Sequence, residues 1–218
     1  MAEAPNILVN DAIRRQVLLE GVKANEFKKF EPFLKDLEKS IRDRLNREGE
    51  TIRNRRRLAK LLTDITAIQV AILNGYTDQL ELDLDEIAIT DAALEANSIG
   101  SAVKDFEPVL PSDDQLVIAY KNNPLSVRGK SQGMILKPFL KQYQSDQIAL
   151  ISGAVSQGFA EGKPVNEIIR TLRGTRANKF KDGVLANVDR NTKTMIRTAV
   201  QNSSAQAKQR VWDANKDI

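Results

Sequence analysis

The chain has 218 residues, of which 41% are hydrophobic and 28% charged, which suits a packed soluble core and is too apolar for wholesale disorder. It contains no cysteine and no histidine, excluding disulfides, thiol and Ser-His-Asp catalysis, and zinc held by those ligands. Its net charge of +4 is segregated: residues 1–60 carry 15 Lys/Arg against 10 Asp/Glu, residues 61–120 carry 1 against 12, and residues 121–218 carry 17 against 7.

An acidic block beside basic ones implies either internal pairing of segments or two surfaces meant for different partners. Aromatic residues make up 5%, with 11 Gly and 7 Pro, so helices are favoured over a many-turned β fold. No uninterrupted apolar run approaches the roughly 18 residues that cross a membrane. The start "MAEAPNILVND" lacks the basic n-region of a signal peptide. The expectation is synthesis and folding in a cytoplasm, with no membrane partner.

The first predicted helix begins at Asn10 as N-cap and runs through Ile13, Val17 and Leu18 to Gly21. A second apolar stripe follows at Phe27, Phe30, Phe33, Leu34, Leu37, Ile41 and Leu45, with Pro32 as a kink or restart. "NREGE" (46–50) reads as a turn. From Thr51 a longer helical pattern runs through Ile52, Leu58, Leu61, Leu62, Ile65, Ile68, Ile72 and Leu73, continuing past Gly75 to Leu80, Leu84, Ile87 and Leu94. "ELDLDEIAI" (81–89) alternates like a strand, but its context reads as helix.

Prolines 108, 111 and 124 bracket a short helix, "DDQLVIAY", with Ser112 as N-cap. A further helix resumes near Gln132 and runs to Gly162, with Ile148, Ile151, Val155 and Phe159 on its core face. "PVNEIIRTLRG" is a short helix with Asn166 as cap and Gly174 as stop. "TRANKFKDGVLAN" is a basic loop whose Asp182-Gly183 pair suits a small hairpin turn. The last helix starts near Val188. The predicted fold class is all-α, with long helices packed as hairpins and little or no β structure. Three regions are expected: 1–110, a long-helix region for docking on a partner; 111–144, a connection with a short helix; and 145–218, a helical module.

Several patterns tempt a chemical assignment. "GKS" (129–131) resembles the end of a phosphate-binding loop, but Pro124 stands where that motif needs glycine, and no strand is predicted before it. Asp78, Glu81, Asp83, Asp85, Glu86 and Asp91 gather carboxylates without the spacing of a calcium loop, so the preferred reading is a solvated acidic face or an electrostatic docking surface. No metal, cofactor or catalytic residue is assigned, and an enzyme built on those carboxylates is the least favoured function.

"RNRRR" places Arg53, Arg55, Arg56 and Arg57 at a helix N-terminus, where cations oppose the macrodipole, so an anion should compensate. Nucleic acid is one such anion and the acidic block is another. Lys179, Lys181, Arg190, Lys193, Arg197, Lys208 and Arg210 are candidates for contact with a nucleic-acid backbone, against the alternative of a basic helix pair with no ligand. Aromatics interleaved for single-strand stacking are not evident.

On the final helix Ile196, Ala199, Val200, Ser203, Ala207, Val211 and Ala214 share one face, opposite Gln201, Lys208, Gln209 and Asn215. Small residues admit a close neighbour, and the expected neighbour is the Ile148–Phe159 helix. The order "ISGAVSQGFAEGKPVNEIIRTLRG" (151–174), a basic spacer and "IRTAVQNSSAQAKQRVWDAN" (196–215) resembles the phage head-morphogenesis or minor capsid family related to the F protein of phage Mu. The likeness covers about residues 145–218 and rests on helix signatures rather than catalytic residues.

In that family a β-containing segment with Cys and sometimes His usually follows this helix, so the resemblance implies either a protein without that part or, the favoured expectation, a sequence that is part of a longer chain. It implies a minor structural protein of the virion, bound in several copies at the portal vertex and assisting genome packaging or delivery. The implied partners are the portal protein ring, genomic DNA without sequence preference, and the scaffolding or major capsid protein. The alternative function is a general DNA-binding helical protein without sequence specificity.

Overall fold

The structure is a computed structural model and describes residues 4–48, 54–127 and 130–216. Among these, six helices and one two-stranded antiparallel sheet follow in order: α1 (Ala4–Asn46), α2 (Arg55–Ala102), α3 (Asp113–Asn122), β1 (Leu125–Val127), β2 (Lys130–Met134), α4 (Leu136–Ala160), α5 (Val165–Arg173) and α6 (Val184–Ala214). The protein is all-α.

Two segments read as separate in the sequence are one helix. α1 passes through Asn10, Gly21 and Pro32 without a break. Pro32 is tolerated because it lies on the exposed face, where water can satisfy the carbonyl left without its N–H partner. The buried seam of α1 is Arg15, Leu19, Lys23, Glu26, Phe30, Leu37, Ile41 and Leu45. Ile13, Val17 and Leu18, expected in the core, are each more than half exposed. Three charged residues take the inward phase instead, because the helix is continuous and its register is set by Phe30 to Leu45 downstream.

α2 confirms a helix through 81–89 and past Gly75. The onset predicted at Thr51 and Ile52 lies outside the described residues. The helix contains one 18-residue window long and apolar enough to cross a membrane by length and composition. That stretch is defined with up to two charged residues allowed, so it is a weaker feature than an unbroken apolar run. Its Leu61, Ile65 and Leu73 are fully buried.

α3 forms as expected: Ser112 accepts a hydrogen bond from the Gln115 amide while the Gln115 side chain accepts from the Ser112 amide, a complete capping box. Beyond it the expected helix onset near Gln132 is replaced by the hairpin, with Leu125 opposite Met134 and Val127 opposite Lys130, and α4 starts only at Leu136. Lys130 and Ser131 of the phosphate-loop-like triplet therefore begin a strand. α4 ends in a Schellman motif, with Lys163 donating to the Gly158 carbonyl at 2.9 Å and Gly162 to that of Phe159 at 3.1 Å. Pro164, not Asn166, caps α5, since a fixed φ and a missing donor suit the first position before a helix.

The chain forms two compact units, each drawn from separate stretches. One comprises residues 27–78 and 140–195. Phe30 and Phe33 of α1 close on Tyr76 of α2 with ring centroids 4.8 and 5.4 Å away. Gln144 and Gln69 link α4 and α2, donating to Thr77 at 2.7 Å and Ser152 at 3.0 Å. Asn191 of α6 donates to Gln147 of α4 at 3.0 Å, and Tyr143 bonds Thr192. Ile151 and Val155 are fully buried on the expected face of α4. α5 lies close to that helix: a Cβ on Gly158 would stand 2.7 Å from Ile168 Cγ1.

The other unit comprises residues 1–26, 79–139 and 196–218. Here the small-residue side of α6 faces α2, where Ala88, Ala92 and Ala96 are buried, and Ser203 donates across to the Leu84 carbonyl at 2.9 Å. The expected partner, Ile148–Phe159, belongs to the other unit. A hydroxyl that reaches a neighbouring helix's backbone requires the close approach that Ala and Ser permit. Ala214 is exposed, whereas Asn215, placed outside by the helical wheel, is buried. It accepts from the Val109 amide at 2.7 Å and donates to the Val109 carbonyl at 2.8 Å, so its side chain pairs with the loop as a strand would.

The acidic face of α2 is only partly solvated: Asp78 and Glu86 are exposed and Glu81 and Asp85 half-buried, but Asp83 and Asp91 are buried. Glu95 accepts from both Arg15 and the Trp212 indole, and it is 5% exposed. Asp91, also buried, lies 4.0 Å from the Lys208 amine, and Asp85 holds Tyr120 and Lys121. Burial pushes the Arg15 guanidinium down, opposed by Asp91 and Asp11. Burial and the Asp85 carboxylate push the Tyr120 phenol up.

Two substitutions test this packing. Gly158→Ala should lower stability by about 1–3 kcal/mol, because the added methyl meets the branched side chain of Ile168; a fall in the urea midpoint reads it. Arg15→Met should cost about 3–5 kcal/mol by leaving the Glu95 carboxylate buried without its cation. The double variant Arg15→Met/Glu95→Gln should recover most of that loss, since the amide oxygen still accepts from Trp212.

Candidate nucleic-acid interface

Between α5 and α6 the sequence "GTRANKFKDG" (174–183) forms a closed loop rather than the expected hairpin turn. Its ends touch. A Cβ on Gly183 would stand 2.4 Å from both the Arg173 carbonyl carbon and the Gly174 nitrogen, so no side chain fits there. Gly174 adopts φ +90°, the left-handed range that stops α5 as predicted. Closing the loop this way lets α6 begin at Val184, four residues before the expected start.

One carboxylate organises the interior. Asp182 accepts from the Thr175 backbone amide at 2.7 Å, the Thr175 hydroxyl at 2.6 Å and the Asn178 side-chain amide at 2.8 Å. These bonds, the Thr175 hydroxyl first, hold its carboxyl well below the usual carboxylate range. The Phe180 amide donates back to the Thr175 carbonyl at 2.8 Å. Lys179 and Phe180 are consecutive residues at positive φ, 52° and 61°. A bulky side chain in that region costs on the order of 1–3 kcal/mol and persists only where its surroundings dictate it.

The outcome is a rigid display of charge. Arg176, Lys179 and Lys181 are exposed, and the loop's single acid, itself exposed, is engaged by Thr175 and Asn178. Phe180, 38% exposed, lies under the Arg173 guanidinium at 4.5 Å, and Arg173 also pairs with Glu38 of α1 at 3.2 Å. Three cations on an ordered loop can meet successive phosphates with little ordering entropy, and the ring offers one stacking surface. A compact loop with touching ends, tied across itself by hydrogen bonds, is a frequent seat of function.

The other residues predicted for such contact that the structure describes lie at the start of α2 and along α6. Arg53 lies outside the described residues. Arg55 and Arg56 are exposed on the first turn of α2, and Arg57 bonds the carboxylate and carbonyl of Glu48, both at 3.1 Å. That carboxylate, which also takes Arg44 at 2.5 Å, is the local anion of the arginine cluster, and neither the acidic block nor an external ligand is needed for Arg57. Arg190 is exposed and donates to Asn187, while Lys193 pairs with Asp189 at 2.7 Å. Arg197, Lys208 and Arg210 belong to the other unit. Arg197 and Arg210 are exposed, but Lys208 is half-buried toward Asp91, and burial lowers its pKa.

Arg176, Phe180 and the organising role of Asp182 escape a reading by charge alone. The signal was present in "K-F-K" and in a D-G pair eight residues after a glycine, but only closure of the loop gives those spacings meaning. Asp182→Asn should speed hydrogen exchange at the Thr175 amide by about tenfold or more at neutral pH, because the anionic acceptor is lost. In the parent protein the folded carboxyl titrates below an unfolded Asp at about 3.9. Its contribution is therefore complete above that value and vanishes as pH falls through the lower folded value. Thr175 protection should accordingly stay flat down to about pH 4 and decline progressively below it.

No protein-family model matches this chain, and the searches of curated proteins and of solved structures return no match either.

Proposed function

We propose that this chain is a minor structural protein of a phage virion that acts in head morphogenesis, sits at the portal vertex and assists genome packaging or delivery. The reading rests on the resemblance of residues 145–218 to the head-morphogenesis family. The observation that carries it is the loop at the centre of that stretch, which is folded on Asp182 and presents Arg176, Lys179 and Lys181 outward. A protein that must touch a densely packed polyanion without reading its sequence needs fixed cations rather than base-edge donors. The work would be recognition and assembly, not turnover. The partners are the portal protein ring, with several copies of the chain repeated around it, the genomic DNA, and the scaffolding or major capsid protein.

Co-purification with a portal ring and presence in mature particles are the expected outcomes. Absence from both would overturn the assembly role. The second reading, a general DNA-binding helical protein, is favoured by the same loop and makes a separate prediction. Binding to duplex DNA should weaken linearly in log K against log salt. Replacing Arg176, Lys179 and Lys181 together by Ala should flatten that slope by about 2–3, near one for each phosphate that is no longer neutralised, with equal effect on unrelated sequences.

A further inference from the structure

Contact with phosphates accounts for the cations of the 174–183 loop but not for Phe180. Of the seven phenylalanines it alone is exposed; the other six are buried or half-buried. It also holds φ +61°, a region that is costly for a bulky side chain. Closing the loop does not require the ring, because Asp182 ties Thr175 to Asn178 and Gly183 already lies against Arg173 and Gly174.

The ring and Arg173 form a layered pair, with the guanidinium carbon 4.5 Å from the ring centre. Glu38 pairs with the Arg173 Nε at 3.2 Å. That nitrogen lies on the rim of the planar group, so the bond fixes the plane without covering its faces. The Arg173 side chain stays 48% exposed. Both layers are flat and both stack on nucleobases, the ring by its π face and the guanidinium by stacking and cation–π contact. A base inside a duplex offers only its edges, because its faces are covered by its neighbours. A base in a single strand has its face free. Lys179 and Lys181, the exposed neighbours of Phe180 in the chain, supply charge for the adjoining phosphates.

We propose that Arg173 and Phe180 form a stacking platform for an unpaired nucleobase, so that the loop gains affinity from the bases of a single strand as well as from its phosphates. The ligand class is a nucleic-acid strand with unstacked bases: an end, a gap or a free single strand. This inference rests on the reading of the loop as a nucleic-acid contact and adds the form of nucleic acid that it engages.

The test compares three labelled ligands of about 12 units, within the usual site size of single-strand binders, by fluorescence anisotropy on the full chain. They are oligothymidine, an abasic strand carrying the same phosphates, and a mixed-sequence duplex. Oligothymidine should bind at least about fivefold more tightly than the abasic strand, the lower end of what one stacked base contributes. Phe180→Leu keeps an apolar side chain but removes the flat face. It should abolish that difference while leaving abasic and duplex binding unchanged. Phe180→Trp should preserve the difference, and its added emission, measured against the parent with its single Trp212, should be quenched by oligothymidine and not by the abasic strand. Equal binding of oligothymidine and the abasic strand by the parent would overturn the inference and leave the loop a phosphate contact. So would an equal loss of affinity for all three ligands in Phe180→Leu, which would make the ring a brace for the loop. Binding of none of the three would overturn this inference together with the reading on which it rests.

Discussion

One line of buried residues on α2, beside which Thr77, Asp83, Asp91, Glu95 and Ser98 are also buried, steps by four more often than by three: Leu61, Ile65, Gln69, Leu73, Tyr76, Leu80, Leu84, Ala88, Ala92, Ala96, Ile99. Its mean step is near 3.8 against a helical repeat of 3.6, so the seam turns about 20° around the helix at each step. A straight helix with such a seam cannot present one face to one set of neighbours along its length. Its first half and its second half belong to different compact units, with the change at Asp78 and Gln79. α1 steps through its own seam at nearly the same pace and passes between units at Glu26 and Phe27. The remaining helices are placed by which part of these two seams they cover.

The same seams decide what happens to the charge. The acidic block falls largely on the second half of α2, and its inward members are used there. Glu95 takes Arg15 and Trp212, Asp91 lies near Lys208, and Asp85 takes Tyr120 and Lys121. Buried ions of this kind are poor contributors to net stability but cost much when one partner is removed, so they fix register more than they add strength. Of the two explanations that segregated charge allows, internal pairing accounts for these residues. Exposed basic charge lies elsewhere, including the loop tied together by Asp182.

The sequence was legible where the determinant was local. The Ser112 capping box, the stop at Gly174, the helicity of 81–89 and the small-residue face of α6 each follow from a few neighbouring residues and their hydrogen bonds. It misled where phase was set at a distance. Ile13, Val17 and Leu18 look like a core stripe, but the rigid continuation of α1 turns Arg15, Lys23 and Glu26 inward instead. Asn166 looked like a cap until Pro164, with its fixed φ, took the position. Of the candidate interface, Lys179 and Lys181 were visible as charge. Arg176 and Phe180 join them only because Gly174 and Gly183 touch.

Composition and periodicity by themselves determined an all-α fold, the absence of thiol and imidazole chemistry, and the existence of basic and acidic segments. These follow because helix formation and side-chain chemistry depend on near neighbours. Tertiary structure alone decided which charges are spent inside and which face outward. The carboxylates of α2 find cations up to 80 residues and more away in sequence, and no local rule carries that information. Long-range pairing of buried ions and the meeting of two glycines are properties of the packed chain, since each exists only when distant backbones are held at contact distance.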